Sequence, residues 1–600
     1  MCGFTGSISK KPIDNSLIDE ANKLIDCRGP DSKCFFEKEY ENFNLNFWFN
    51  RLSIIDLSDT ANQPMYSKEF NTLLMFNGEI FNHSELREEL KNKGLKFYTS
   101  HSDTETLLVG LSHYGIKFIE KLRGQFAIAF FEEKSSKLHL ARDRLGQKPL
   151  YYFIDNENIH FGSSLLSILK ILKDYKISED QIYNYIDYGV ISSPFTLFEN
   201  IYKLMPSEIL SVDLQKNNFT AEKSKYWNVE NFLNNKPFKK EEFFDIFSES
   251  INIRTTADVP IANFLSGGID SSSIVKNLVD NKKQVESFSV YLKEKKYDES
   301  QYIKEVVGKY DLDHRTTTIS TDITYDEIND ALNSLDEPYS DPSVVPSYIL
   351  SKQISKHYKV AISGDGGDEL LGGYERTIKS LKKTGVLNNL ISKSYNFYPA
   401  IFGTGNKLLS KSNNLEIKYR SFLEDKKLTK LLKINSKQNS FADGLDYEDL
   451  NHYKKLLISD YKLFLPEMMM YKIDRTSMAN SLEVRSPFVD HKLIEFIMSR
   501  DSSYLNPLNS KQILKNYLSR DFNDDFLLRK KQGFVFDVER WVFNNLDLIS
   551  NKILNGHIIK DLNKNIVKLL SINKSRINGQ RIWKLFVLEH YLERILSKSS

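Results

Sequence analysis

The chain has 600 residues, too many for one core, so two or more domains are expected. Apolar residues make up 40% and charged residues 27%, with a net charge of +2; this argues against a nucleic-acid-binding or membrane-surface protein, and no apolar run is long enough to span a bilayer. Three cysteines, an odd count in a long chain, argue against a disulfide framework and for a reducing compartment, expected to be the cytoplasm.

The first residues, MCGFTG, predict a short strand and lack the basic and then apolar run of a secretory signal. Cys2 is small enough for the initiator methionine to be removed ahead of it. One residue would then carry a thiol and a free α-amino group, nucleophile and base together. The amine titrates near ~8, so much of it is neutral at cellular pH. Taken alone, a cysteine at position 2 is more often chance than function. Short β-like runs follow: NLNFWFN, LLMFNGEI, FAIAFFE, LHLARD, LYYFI and IHFGSS. Helices are predicted over SLIDEANKLI, HSELREELKNKG and DTETLLVGLSHYG, the last two stopping at Gly94 and Gly115. Antiparallel strands with helices packed outside predict an α/β sandwich.

The texture changes after about residue 230, and a domain boundary is expected within 205–235. KKEEFFDIFSESINIRTTAD reads as an amphipathic helix, VPIANFLSGGIDSSSIVKNLVD as strand, glycine turn and helix, VESFSVYL as a strand, and YKVAISGDGGDELLGGY repeats the strand–turn pattern. Strands alternating with helices predict a parallel sheet. From about residue 380 almost everything reads as helix, and the lysine-rich stretch 379–456 reads as a solvated helical face.

LSGGIDSSS is the strongest signal. Leu265 would end a strand, and Ser266, Gly267 and Gly268 let the backbone turn so that its N–H groups cradle an oxyanion at the start of a helix. It is not a G-x-x-x-x-G-K-[ST] loop. Asp270 offers a carboxylate for Mg²⁺, and Ser271 and Ser272 offer hydroxyls. The string resembles the pyrophosphate loop of the N-type ATP pyrophosphatases, which cleave ATP between its α- and β-phosphates. That resemblance implies a second acidic site, and SGDGGDELLGGY supplies Asp365, Asp368 and Glu369, with Asp368 a second Mg²⁺ ligand. RKKQGF adds Arg529, Lys530 and Lys531, of which Lys531 would neutralise the α-phosphate as pyrophosphate leaves.

With an ATP-dependent half downstream, Cys2 gains a purpose, because an acyl-adenylate needs ammonia. Arg51 suits a bidentate grip on a substrate carboxylate. Asn77 and Gly78 of NGEIFN suit an oxyanion hole, and Glu79 and Asp103 can hold the α-amino group of glutamine. RDRLGQKPLYY and RGQFAIAFF read as structural. The first half resembles the class II, amino-terminal nucleophile glutamine amidotransferases. From residue 2 to about 540 the chain resembles the glutamine-hydrolysing asparagine synthetases. The resemblance implies an α/β protein: an α/β/β/α glutaminase domain over 2–210, and over 230–600 a parallel-sheet adenine-nucleotide hydrolase-like domain with many helices. It adds Val290, Ser363 and Gly364 to the ATP site, with Asp365 among the catalytic residues. YKIDRTSMANSLEVRSPFVDH, predicted largely helical and buried, resembles the segment lining the acceptor and ammonia route; its Asp474, Arg475, Glu483, Arg485 and Asp490 read equally as structural ion pairs.

The implied reaction frees ammonia from glutamine at Cys2 and traps it on an acid activated by Mg-ATP, with aspartate the favoured acceptor. The implied partners are small molecules, with no nucleic acid and no membrane; the oligomeric state is left open, homodimers being common among relatives. Departures from the family pattern, among them that no Gly follows Asp31 closely, leave a sugar uronate as the alternative acceptor. The second loop is SGDGGDE rather than SGEGSDE; LDEPYSDPSVVPSY resembles a related branch; Cys27 stands where a His is usual; KLMPSE replaces KLPPG. A β-lactam-forming relative would lack Cys2, and a non-catalytic protein would need none of these residues. No His or Cys spacing reads as a zinc site, and Cys27 and Cys34 read as idle thiols.

Overall fold

The computed structural model describes residues 2–216, 218–283, 286–292, 299–319, 323–434, 450–501, 510–529 and 536–597. The first half stacks two six-stranded antiparallel sheets. One places Gly3–Ser9 centrally, between Asn44–Arg51 and Asn158–Gly162. The other places Gly124–Glu132 between Thr72–Ile80 and Lys137–Arg142, and its edge strands are Thr220–Lys225 and Met65–Ser67. Alternation along these strands sends Phe4, Ile8, Phe47 and Phe49 of the first sheet, with Leu73, Met75, Ala129 and Phe131 of the second, into one shared core. The opposite face of the second sheet packs Phe76, Phe126 and Ile128 against Leu86 and Leu107 of helices His83–Asn92 and Asp103–Tyr114. On the far side, helices Asn15–Lys23 and Leu165–Leu172 meet where Ser167 Oγ donates to the Ala21 carbonyl at 2.9 Å. The layers run α/β/β/α.

The second half is built on a five-stranded parallel sheet ordered His314–Ile319, Glu286–Leu292, Ile261–Phe264, Val360–Ile362, Glu483–Arg485. Its last strand corrects the helical reading of 471–491. Helix Tyr471–Met478 stops ahead of Ser481, whose φ is 54°, and Val484 and its neighbours then extend beside Val360–Ile362. Beyond the sheet the described chain is mainly helical, and the 21-residue helix Arg576–Leu596 packs Trp583, Phe586 and Leu588 into the largest core. Among the described residues no helix is long and apolar enough to cross a membrane. All three cysteines are free.

Candidate active site

Cys2 precedes the central strand of the first sheet and is buried. Its backbone nitrogen donates to Asn77 Oδ1 at 3.1 Å, across to the second sheet, and its Sγ lies 3.8 Å from the Leu52 carbonyl. With Asn77 Oδ1 held this way, its buried Nδ2 donates to Ser163 Oγ at 3.5 Å. Burial pushes the Cys2 thiol up, against a smaller downward pull from Arg51, so the resting sulfur is protonated and needs a base. Gly78 follows, with φ 156°; a Cβ there would lie 2.0 Å from the Gln125 carbonyl of the neighbouring strand, so only glycine fits.

The acids expected beside the glutamine come together. Asp103, the first residue of its helix, accepts from the Ile80 amide at 3.2 Å through Oδ2. Glu79 Oε2 pairs with Arg485 Nη2 at 2.9 Å, and Glu79 Oε1 is buried with no partner among the described residues. Burial pushes both carboxyls up, and Asp103 pushes Glu79 further; an arriving ammonium group relieves that cost. Arg51 lies elsewhere in its bonding. Its terminal nitrogens go to the Ser58 carbonyl at 2.8 Å, Asn62 Oδ1 at 2.9 Å, the Ile55 carbonyl at 3.4 Å and the Asp56 carbonyl. It fastens the loop after its strand, so its terminal nitrogens grip a carboxylate only by exchanging one of these partners.

The second cluster forms at the carboxyl end of the parallel sheet, where ligands of such sheets bind. Leu265, Ser266, Gly267 and Gly268 link strand Ile261–Phe264 to the 12-residue helix Ile269–Asp280. Gly267 has φ 69°, and Ser271 Oγ accepts from the Ser266 amide at 3.3 Å. Ser271 and Ser272 are buried in the first turn, and Val290 lies on the neighbouring strand. The loop after Val360–Ile362 closes on the first: a Cβ on Gly364 would lie 3.1 Å from the Ser271 amide, and one on Gly367 2.8 Å from Asp270 Cγ. Ser363 is buried there, Asp365 is half-buried, and Asp368 and Glu369 are buried. Burial pushes the Glu369 carboxyl up to about 7. Lys531 and Lys530 lie outside the described residues, whereas Arg529 reaches the Gly267 carbonyl and stacks 3.8 Å from the Tyr302 ring.

The ion pairs of Asp474, Arg475, Arg485 and Asp490 were anticipated from sequence, but their partners and one further group were not. Lys511 bridges Asp270 and Asp368, the latter at 2.5 Å; a single lysine with no motif around it gave no signal. The other is the set of partners that builds the buried ionic seam between the halves: Arg28 with Asp474, Arg123 with Asp490 and Arg485 with Glu79, while Arg475 pairs with Asp336 inside the second half and donates across the seam to the Ser163 carbonyl at 3.0 Å. A small cavity crosses this seam, lined by Gln125 and Lys148 from the first half and by Ser363, Met470, Val484 and Ser486 from the second.

Residues 242–593 match the asparagine synthase family model, and residues 1–227 match a glutamine amidotransferase domain. The chain belongs to the asparagine synthase family. It is 30% identical to asparagine synthetase [glutamine-hydrolyzing] 1 of Bacillus subtilis over 98% of this chain and 96% of that one. It is 28% identical to asparagine synthetase [glutamine-hydrolyzing] 3 of the same organism, over 89% and 87%, and 25% identical to amidase chry2 of Gibberella zeae, over 85% and 84%. This asparagine synthase family member is a glutamine-hydrolysing carbon–nitrogen ligase, with ATP the substrate that its family implies.

Proposed function

We propose that the enzyme converts L-aspartate, L-glutamine, ATP and water to L-asparagine, L-glutamate, AMP and diphosphate through a β-aspartyl-AMP intermediate, with 2–210 as the glutaminase unit and 230–600 as the activating unit. One observation carries the reading: strand Glu483–Arg485 touches both clusters. Arg485 Nη2 holds Glu79 at 2.9 Å, while its carbonyl accepts from the Ser363 amide at 2.9 Å. In the glutaminase unit Cys2 attacks the glutamine side-chain amide once the α-amino group takes the thiol proton. Asn77 Nδ2 and the Gly78 amide hold the oxyanion, each such donor supplying about 3 kcal/mol. Arg51, Glu79 and Asp103 bind the amino-acid end, and water then hydrolyses the thioester.

In the activating unit the amides of Ser266 to Gly268, the hydroxyls of Ser271 and Ser272 and the glycines around Ser363 and Gly364 cradle the nucleotide. Asp270 and Asp368 suit a divalent metal: both reach one cation, Lys511, and Asp270 Oδ1 is a buried oxygen with no hydrogen-bond partner among the described residues. Bound there, Mg²⁺ would supply charge neutralisation to the leaving diphosphate. Asp365 is assigned as the base for incoming ammonia, and Lys531 is assigned to the α-phosphate. Ammonia stays unprotonated only where water is scarce, and the small cavity lined by Gln125 and Ser363 supports a route for it across the seam. The test is diphosphate release with glutamine and ATP against aspartate and a panel of sugar uronates. Stimulation by aspartate alone supports the reading; stimulation by a uronate alone replaces aspartate as acceptor.

A further inference from the structure

We infer that Lys511 holds the place of the divalent metal in the nucleotide-free enzyme, so that the site takes up a metal only together with ATP. The inference rests on Asp270 and Asp368 being the metal ligands. The Lys511 Nζ lies between them, 2.5 Å from Asp368 Oδ1 and against Asp270 Oδ2. The lysine side chain is 8% exposed, and the two carboxylates are 16% and 9% exposed. Water screens this group poorly, and the Lys511 ammonium supplies positive charge to both adjacent carboxylates.

The chain is shaped to deliver it. Lys511 has φ 62°, a conformation that residues with a Cβ seldom adopt, immediately before helix Gln512–Leu518. Gly373 yields space from the other side: a Cβ there would lie 2.0 Å from Asp368 Oδ1 and 2.5 Å from Lys511 Cε. The second glycine of LLGGY is therefore set by the lysine–aspartate cluster. A metal ion arriving alone would meet the ammonium within a few ångströms, and two cations so close in a half-buried site repel strongly. A polyphosphate arriving with the metal brings the negative charge that compensates, and the ammonium is released from the carboxylates.

The test is Mn²⁺ binding by the full chain, read as loss of the free-ion paramagnetic resonance signal, with and without α,β-methylene ATP. Wild type is expected to bind Mn²⁺ weakly alone and at least tenfold more tightly with the analogue. K511Q is expected to bind Mn²⁺ at least tenfold more tightly than wild type without nucleotide, and K511R to behave as wild type. Equal Mn²⁺ affinity of folded K511Q and wild type without nucleotide would overturn the inference. So would tight, nucleotide-independent binding by wild type, which needs no variant to fold. The underlying metal assignment fails separately: D270N would then bind Mn²⁺ with the analogue as tightly as wild type.

Discussion

Arg28 lays both terminal nitrogens on the Asp474 carboxylate, at 2.8 and 3.1 Å, while its Nε donates to the Cys2 carbonyl at 3.1 Å. The activating half thus holds the arginine that holds the nucleophile's backbone. Burial alone would raise Asp474; Arg28 and Lys148 hold it down to about 2. Asp474→Asn leaves Arg28 buried without its counter-charge, which costs about 3 kcal/mol or more. Cys2 then loses its fixed position, so glutaminase kcat/KM measured without ATP is expected to fall tenfold or more. Urea unfolding reports the first loss; unchanged glutaminase activity in a destabilised variant would separate Arg28 from catalysis.

Cys2→Ala removes the nucleophile and leaves the parallel-sheet half untouched. Glutamine-dependent amidation is expected to vanish while ammonia-dependent amidation persists, measured with ammonium chloride in place of glutamine. Survival of both activities refutes the assignment of the thiol.

Asp270→Asn removes one carboxylate from the cluster beneath the glycine loop. Diphosphate release is expected to stop, by the loss of at least a hundredfold in rate, while glutaminase activity at Cys2 remains. A coupled diphosphate assay decides it.

Acid unfolding follows from the seam. Arg485 beside Glu483 holds that carboxyl down to about 2 against the upward push of its burial, and Asp474 is held as low. A folded value below the unfolded one, about 4 for a carboxyl, contributes stability that is complete above about pH 4 and is lost as pH falls toward 2. Each group is worth about 2–3 kcal/mol over that window. The urea midpoint is expected to drop between pH 5 and pH 2.5, and Glu483→Gln to flatten that slope. Parallel slopes in variant and wild type count against it.

Both candidate sites could be proposed from sequence because the motifs that form them are local in the chain. A thiol at position 2, an Asn-Gly pair, and serine, glycine and aspartate at fixed spacing after a strand each act through neighbours along the chain, so a quoted string carries the physics. The parallel and antiparallel textures were legible for the same reason, through the period of apolar residues. Tertiary structure alone decided what the charges do. Arg51 spends its terminal nitrogens on its own loop, strand Glu483–Arg485 joins the sheet edge, and Asp474, Arg485 and Asp490 each meet a partner hundreds of residues away. Lys511 reaches two aspartates 241 and 143 positions earlier in the chain. An ion pair between distant segments leaves no periodicity or spacing behind it; only the packing of one half on the other brings the charges together and removes the water that would have screened them.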